Sequence, residues 1–476
     1  MDEDGINAYV SAWRYGSEQL KNSERPYPFN SDDLTRVCLD PSDPTTCGGT
    51  GVVNGIDSNT GAFFLSTAAN FLLRPSTLNP NNSITPVPGS RFQNAGPCTG
   101  NGTLTSLTVA QQGATAPAQV CQYDYSNLYG VIQPEIERWG VSGRATAKVG
   151  DSAEAYGEAN FMEAVVSYDG FPGSVIANAN TGVFYPRFST STHFPTNPTL
   201  APGSIQMFLP VFVCPERVNC ATSPNGVLNP NNPFAAAGQV ARVIGRDHGS
   251  VTHDETLNRS YRFAAGLNGT FSNGWDYDLN GTVMHTDLLR SWTGYRWIQH
   301  FLDVVADGTY NFANPSATPQ SVLDYLSPPG RAHATSDQAQ LEGSVTIPVF
   351  ELPGGTTQLV LGGSTRYEAV DAPSGNTDLF GPTQRYFTLN AFGTAGSRTV
   401  NCAFFEVAAP VLDNLDVNVS GRLDDYSSGQ SAFSPRIGAR FRPIDMLTLR
   451  ASYSEGFRIP SFAEANGLPT TGFVTN

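Results

Sequence analysis

The stretch VSGRATAKVGDSAEAYGEANF, Val141 to Phe161, decides the fold. Val141, Gly143, Ala145, Ala147 and Val149 share one face of an extended chain, and Ser142, Arg144, Thr146 and Lys148 share the other. After a turn at Gly150 and Asp151 the alternation resumes, with Ala153, Ala155, Gly157, Ala159 and Phe161 opposite Glu154, Tyr156, Glu158 and Asn160. The two halves predict an antiparallel hairpin whose register puts Arg144 and Lys148 on the same face as Glu154 and Glu158. One face is dry and the other carries charge.

The same pattern recurs along the chain. Phe263, Ala265 and Leu267 lead through Asn273-Gly274 to Trp275, Tyr277, Leu279 and Val283, and further hairpins turn at Leu352–Gly355, at Asp413-Asn414 and at Pro443–Met446. These five hairpins share one tight end. At the other end the connections are long: Gly16 to about Arg138, Gly170 to about Asn258, Leu288 to about Asp337 and Val370 to about Thr399, with only Ser427 to Ser431 short. A soluble sandwich would need bulky, interlocking side chains on the dry faces. Here those faces carry Ala, Gly, Val and scattered aromatics, which suffice where lipid tails fill the space. The reading is all-β: an antiparallel transmembrane β-barrel, partial, with about eleven strands, short periplasmic turns and long extracellular loops.

Composition agrees. The 476 residues include 47 Gly and 34 Pro, which favour turns, and the formal net charge of −15 argues against nucleic acid as a partner. No apolar run approaches the ~20 residues of a membrane helix, and the start MDEDGINAYV reads as no signal peptide. Of seven cysteines, six fall into local pairs in Pro- and Gly-rich stretches: Cys38 with Cys47, Cys98 with Cys121, and Cys214 with Cys220. These are expected to be disulfides restraining long loops that have no core of their own, in an oxidising compartment. Cys402 is left over, free or paired outside this segment.

The stretch SPRIGARFRPIDMLTLRASYSEGFRIPSFAE resembles the mid-barrel signature of TonB-dependent outer-membrane receptors, through Phe457, Arg458, Pro460, Ser461 and Glu464. VSGRLDDYS, the ELPGG turn at Glu351 and DGTYNFANP at Asp307 are similar to the same family, over about Val141 to Glu464. The resemblance implies a receptor in the Gram-negative outer membrane with no enzymatic activity and no cofactor. It would take up a scarce ligand (siderophore, haem, cobalamin or oligosaccharide), with membrane lipid, a plug domain and the TonB complex as partners. Members begin with a signal peptide, a TonB box and a plug and close a larger barrel. Residues 1–476 are therefore expected to be one partial barrel domain of a longer protein, with the plug missing. The rival readings are a passive porin or adhesin barrel, and a β-rich carbohydrate hydrolase using paired carboxylates. Neighbours such as Asp424 and Asp425 point to opposite faces of a strand and could not flank one bond.

Three groups of residues are singled out. Trp292, Tyr295 and Trp297, at the root of a long loop, are candidates to stack on a ligand or to join an interfacial aromatic belt. The stretch RDHGSVTHDE gathers Asp247, His248, His253, Asp254 and Glu255, but their spacing matches no metal motif, so it reads as a solvated loop and no metal site is assigned. On the wet face, Arg144, Lys148, Glu154, Glu158, Arg422, Arg436, Arg440, Arg450 and Arg458 are expected to face the lumen. The resemblance makes a plug the partner of Arg440 and Arg450, with Arg436 and Arg458 nearer the external mouth.

Overall fold

The computed structural model describes the chain apart from residues 1, 4, 33–36, 39–41, 44–51, 54–55, 58–70, 81–83, 99–101, 108, 175–207, 377–383, 385, 387–392 and 467–476. Its main feature is a twelve-stranded antiparallel sheet in sequence order. The two-residue strand Asp2–Glu3 is followed by eleven longer ones: β1 (Ile6–Ser17), β2 (Glu135–Val149), β3 (Ala153–Ser174), β4 (Arg246–Thr270), β5 (Asp276–Thr293), β6 (Gly330–Leu352), β7 (Gly355–Ala372), β8 (Thr394–Leu412), β9 (Leu415–Tyr426), β10 (Ser431–Ile444) and β11 (Leu447–Ser454). The opening hairpin has the register read from sequence, with Arg144 opposite Glu158 and Lys148 opposite Glu154. Gly150 at φ +64° and Gly274 at φ +79° sit in two of the tight turns, where a left-handed backbone excludes most other residues. Among the described residues the sheet stays open, with Asp2–Glu3 and β11 as its edges.

The strands run further towards the loop end than alternation suggested; β4 begins at Arg246 rather than near Asn258. The stretch from Arg246 to Glu255 is therefore strand, not the solvated loop expected. The cause lies on the dry face. Near the turns its rows are apolar: Ala147, Ala155, Leu267, Leu279 and Gly343 are register neighbours across β2 to β6. Higher up, a row of rings crosses three strand boundaries, with centroids of Trp139 and Phe161 at 4.9 Å, Phe161 and Tyr261 at 5.1 Å, and Tyr261 and His285 at 6.2 Å. At that row and beyond it the same face turns charged: His285 Nδ1 meets Asp337 at 2.6 Å within the row, and past it Arg259 Nε bonds Glu163 at 2.7 Å and His333 Nε2 meets Asp287 at 2.9 Å. A polar residue on both faces erases the two-residue period.

At the turn end the rings of Phe271 and Tyr277 lie 4.4 Å apart, and Trp275 is exposed. Tyr261 and Phe271 are ten positions apart (271 − 261). A transmembrane strand needs about 9–11 residues between aromatic girdles. The dry face thus has the height of a bilayer's hydrocarbon layer.

The long connections are not the coreless loops that sequence suggested. Residues from three of them share one core: Phe71 and Leu73, Leu209 and Val243, and Phe301, Tyr310 and Phe312. A five-stranded sheet built from Leu72–Leu78, Ile84–Pro86, Gln93–Asn94, Phe208–Leu209 and Val240–Ile244 packs on α1 (Ile298–Asp307) and α2 (Gln320–Leu326). The buried residues Ile298, Phe301, Val304 and Val305 fall on one face of α1, and Gly308 in the left-handed region closes it. Each connection supplies only a few apolar residues, so the core exists only jointly.

Candidate functional site

The polar face of the sheet carries a ladder of opposite charges set by register. Glu158 accepts from Arg144 at 3.3 Å and from Arg262 at 2.5 Å; Glu368 meets Arg366 at 2.6 Å and Arg398 at 2.8 Å. Across β9 and β10, Arg422 Nη2 bonds Asp424 at 2.8 Å and Arg440 Nε bonds Asp416 at 2.7 Å. Arg422 and Arg440 are therefore neutralised within the sheet itself. Arg450 lies directly opposite Arg440 in the register, and neither it nor Arg436 makes an ion pair among the described residues. Lys148 and Glu154 lie near the tight turn on the same face.

Arg458 departs from the expected alternation. The sheet ends at Ser454, and the motif residues form a compact turn in which Arg458 Nη2 donates to both carboxylate oxygens of Glu464 at 2.6 Å. Its charge is spent there, so it does not line a wall as the strand pattern implied. Pro460 carries no N–H for a ladder and precedes Ser461, which caps the helix α3 (Phe462–Asn466). The signal for this cap, Ser-x-x-Glu, is present in the sequence and was missed.

At the loop end of the polar face sits a buried carboxylate. Asp254 is 1% exposed, accepting from Arg290 Nε at 2.8 Å and from the Tyr295 hydroxyl at 2.6 Å. Burial pushes the Tyr295 phenol well above its ordinary range, and the Asp254 carboxylate that holds its proton adds to the shift. The aromatic trio is not an open platform. Trp292 is 2% exposed, edge-on to Tyr386 at 5.6 Å, and Trp297 packs on Tyr386 at 4.8 Å. A Cβ at Gly330, the register partner of Trp292, would lie 2.1 Å from the indole, so glycine makes its slot. The roles expected for Trp292, in ligand stacking or in a lipid-facing belt, are corrected by this burial, because the connections on either side close over the ring.

Among the described residues two disulfides are formed, Cys98–Cys121 and Cys214–Cys220; Cys47 lies outside them, and with it the Cys38–Cys47 pairing. The short loop closed by the second holds Arg217 at φ 62°, where it bonds Asp303 and Asp307 of α1 at 3.0 Å each. Cys402 is free and buried within β8. No group of metal-ligating side chains is present among the described residues, and the side chains of Asp247 and His248 are outside them.

No curated protein matches the chain. Among solved structures, a mutant of the ferric enterobactin receptor PfeA from Pseudomonas aeruginosa is 11% identical with a TM-score of 0.39, over 94% of this chain and 55% of that one. The siderophore receptor PirA from Acinetobacter baumannii is 13% identical with a TM-score of 0.36, over 69% of this chain and 34% of that one. The chain thus spans about a third to a half of the length of these receptors. The family model described as "TonB dependent receptor-like, beta-barrel" matches residues 219–476, just over half of the chain. The chain belongs to the TonB-dependent receptor family, and its antiparallel sheet is part of that family's outer-membrane β-barrel.

Proposed function

We propose that the protein works in the Gram-negative outer membrane as the wall of a receptor for TonB-energised uptake of a scarce ligand: a siderophore, haem, cobalamin or an oligosaccharide. The observation that carries this reading is the division of one sheet into a dry face of bilayer height and a charged face. Lipid covers the first, and an aqueous or plug-filled lumen meets the second. Arg450 and Arg436, without ion partners among the described residues, are where a plug's carboxylates would dock, since guanidinium groups at low dielectric favour such pairing. Arg440, already bonded to Asp416, supports that contact rather than making it alone.

The test is uptake by cells producing the protein from its natural gene. Accumulation of labelled ligands from each class is compared with the TonB system intact and deleted. Uptake of one class that vanishes without TonB is expected. Equal permeation with and without TonB would instead identify a passive pore.

A further inference from the structure

Arg398, on the polar face of β8, touches a segment that belongs at the far side of β11. Its Nε bonds Glu368 at 2.8 Å, its Nη1 donates to the Pro460 carbonyl at 3.1 Å, and its guanidinium lies 4.6 Å from the Phe462 ring centroid and 5.8 Å from that of Tyr426. Phe457 meets Tyr426 edge-on at 6.0 Å. The Arg398 side chain is only 16% exposed, although it stands on an otherwise wet wall. From β11 to β8 is three strand spacings, about 14 Å, and the six residues from Ser454 to Pro460 reach up to about 20 Å when extended. The segment therefore crosses the polar faces of β10 and β9 to arrive at Arg398.

We propose that Arg398 is the anchor of a strap, residues 455–466, that lies across the inner wall at the loop end of the sheet and narrows the passage there. The inference rests on the barrel reading above for the existence of a passage. The anchoring itself rests on geometry. A guanidinium is suited to this task because its several N–H groups bond Glu368 and Pro460 at once while its weakly hydrated charge lies against the rings of Phe462 and Tyr426. The Arg458–Glu464–Ser461 bonds fold the strap internally, the Glu455 amide holds its root to the Pro435 carbonyl of β10, and among the described side chains Arg398 and Tyr426 tie its far part to the wall. Lysine at 398 keeps the charge and loses this combination of contacts.

Hydrogen exchange of the full chain inserted in lipid nanodiscs tests this. Amides of residues 457–466 are compared in the unaltered protein, Arg398→Ala, Arg398→Lys and Phe462→Ala, with β8 and β9 amides as an internal check of the sheet. The expected result is exchange in the strap about tenfold faster in Arg398→Ala, as loss of a charge-assisted bond and a cation–π contact implies, with a smaller rise in Arg398→Lys. Phe462→Ala, which alters the strap and not the wall, must also speed strap exchange, and it decides the matter should Arg398→Ala disturb the sheet. Free exchange of the strap in the unaltered protein, or unchanged protection in Phe462→Ala, overturns the proposal. Failure of the barrel reading would show in lipid accessibility of the dry face, which this measurement does not probe.

Discussion

Ser461 and Glu464 exchange hydrogen bonds across the first turn of α3: the Ser461 amide donates to Glu464 Oε2 at 2.7 Å, and the Glu464 amide donates to Ser461 Oγ at 3.3 Å. This is a capping box, and it gives a physical reason for the Pro-Ser-x-x-Glu order of the motif. Arg458 and then the Ser461 amide hold the Glu464 carboxyl at about 2.

A carboxyl depressed in the folded chain contributes stability above its unfolded pKa, about 4.3, and loses it as pH falls through the folded value. The turn at 457–464 is therefore expected to hold from neutral pH down to about pH 4 and to loosen towards pH 2. NMR titration of labelled glutamate checks this. An ordinary midpoint for Glu464 would show that the pairing does not persist in solution.

Ala147 lies on the dry face of β2, in the row with Ala155 and Leu267. Ala147→Lys is expected to cost up to ~2–4 kcal/mol if the site is near the bilayer midplane, whereas Thr146→Lys, on the charged face, costs far less. Reversible unfolding from lipid vesicles measures both. Equal costs would mean that the two faces do not meet different solvents.

Phe301 joins the loop core from α1, while Phe71 and Val243 come from two other connections. Phe301→Ala should destabilise this loop core by roughly 3–5 kcal/mol, as for other buried rings. The loss should appear as faster amide exchange in residues 72–78 and 240–244 as well as in α1. A change confined to α1 would show that the connections fold separately.

Tyr295→Phe removes one donor from the buried Asp254 and leaves Arg290 in place. A lost bond to a buried charged group costs about 1–3 kcal/mol. It is expected to raise local exchange at 293–298 without affecting the tight turns. Aspartate spectra and exchange rates identical to the unaltered protein would remove Asp254 from its role in fixing the loop root.

The hairpins were legible in sequence because lipid and water impose a two-residue period, and Arg144 to Glu158 shows that even the register could be read. The upper parts of the strands were not. Glu163, Asp287 and Asp337 stand on the same face as the apolar rows, Asp337 level with Tyr261 and His285 and the other two one step beyond them, where both faces are wet and the period vanishes. The loop core was illegible for another reason: Phe71, Leu209 and Phe301 are far apart in sequence and come from three different connections. The partners of Arg422 and Arg440 needed neighbour and register geometry that composition does not supply, and the burial of Trp292 depended on Tyr386 from a distant connection.

The claim that one face of the sheet meets lipid between two aromatic rows is tested most directly by single cysteines along β4, residues 253–270, in a Cys402→Ser background. They are labelled from the lipid phase of reconstituted bilayers. The account predicts labelling at 261, 263, 265, 267 and 269, none at the even positions between them, and an abrupt end at 259 and 257, where Arg259 bonds Glu163 above the ring row. Labelling of both faces alike, or a two-residue period continuing unchanged to 253, would contradict it.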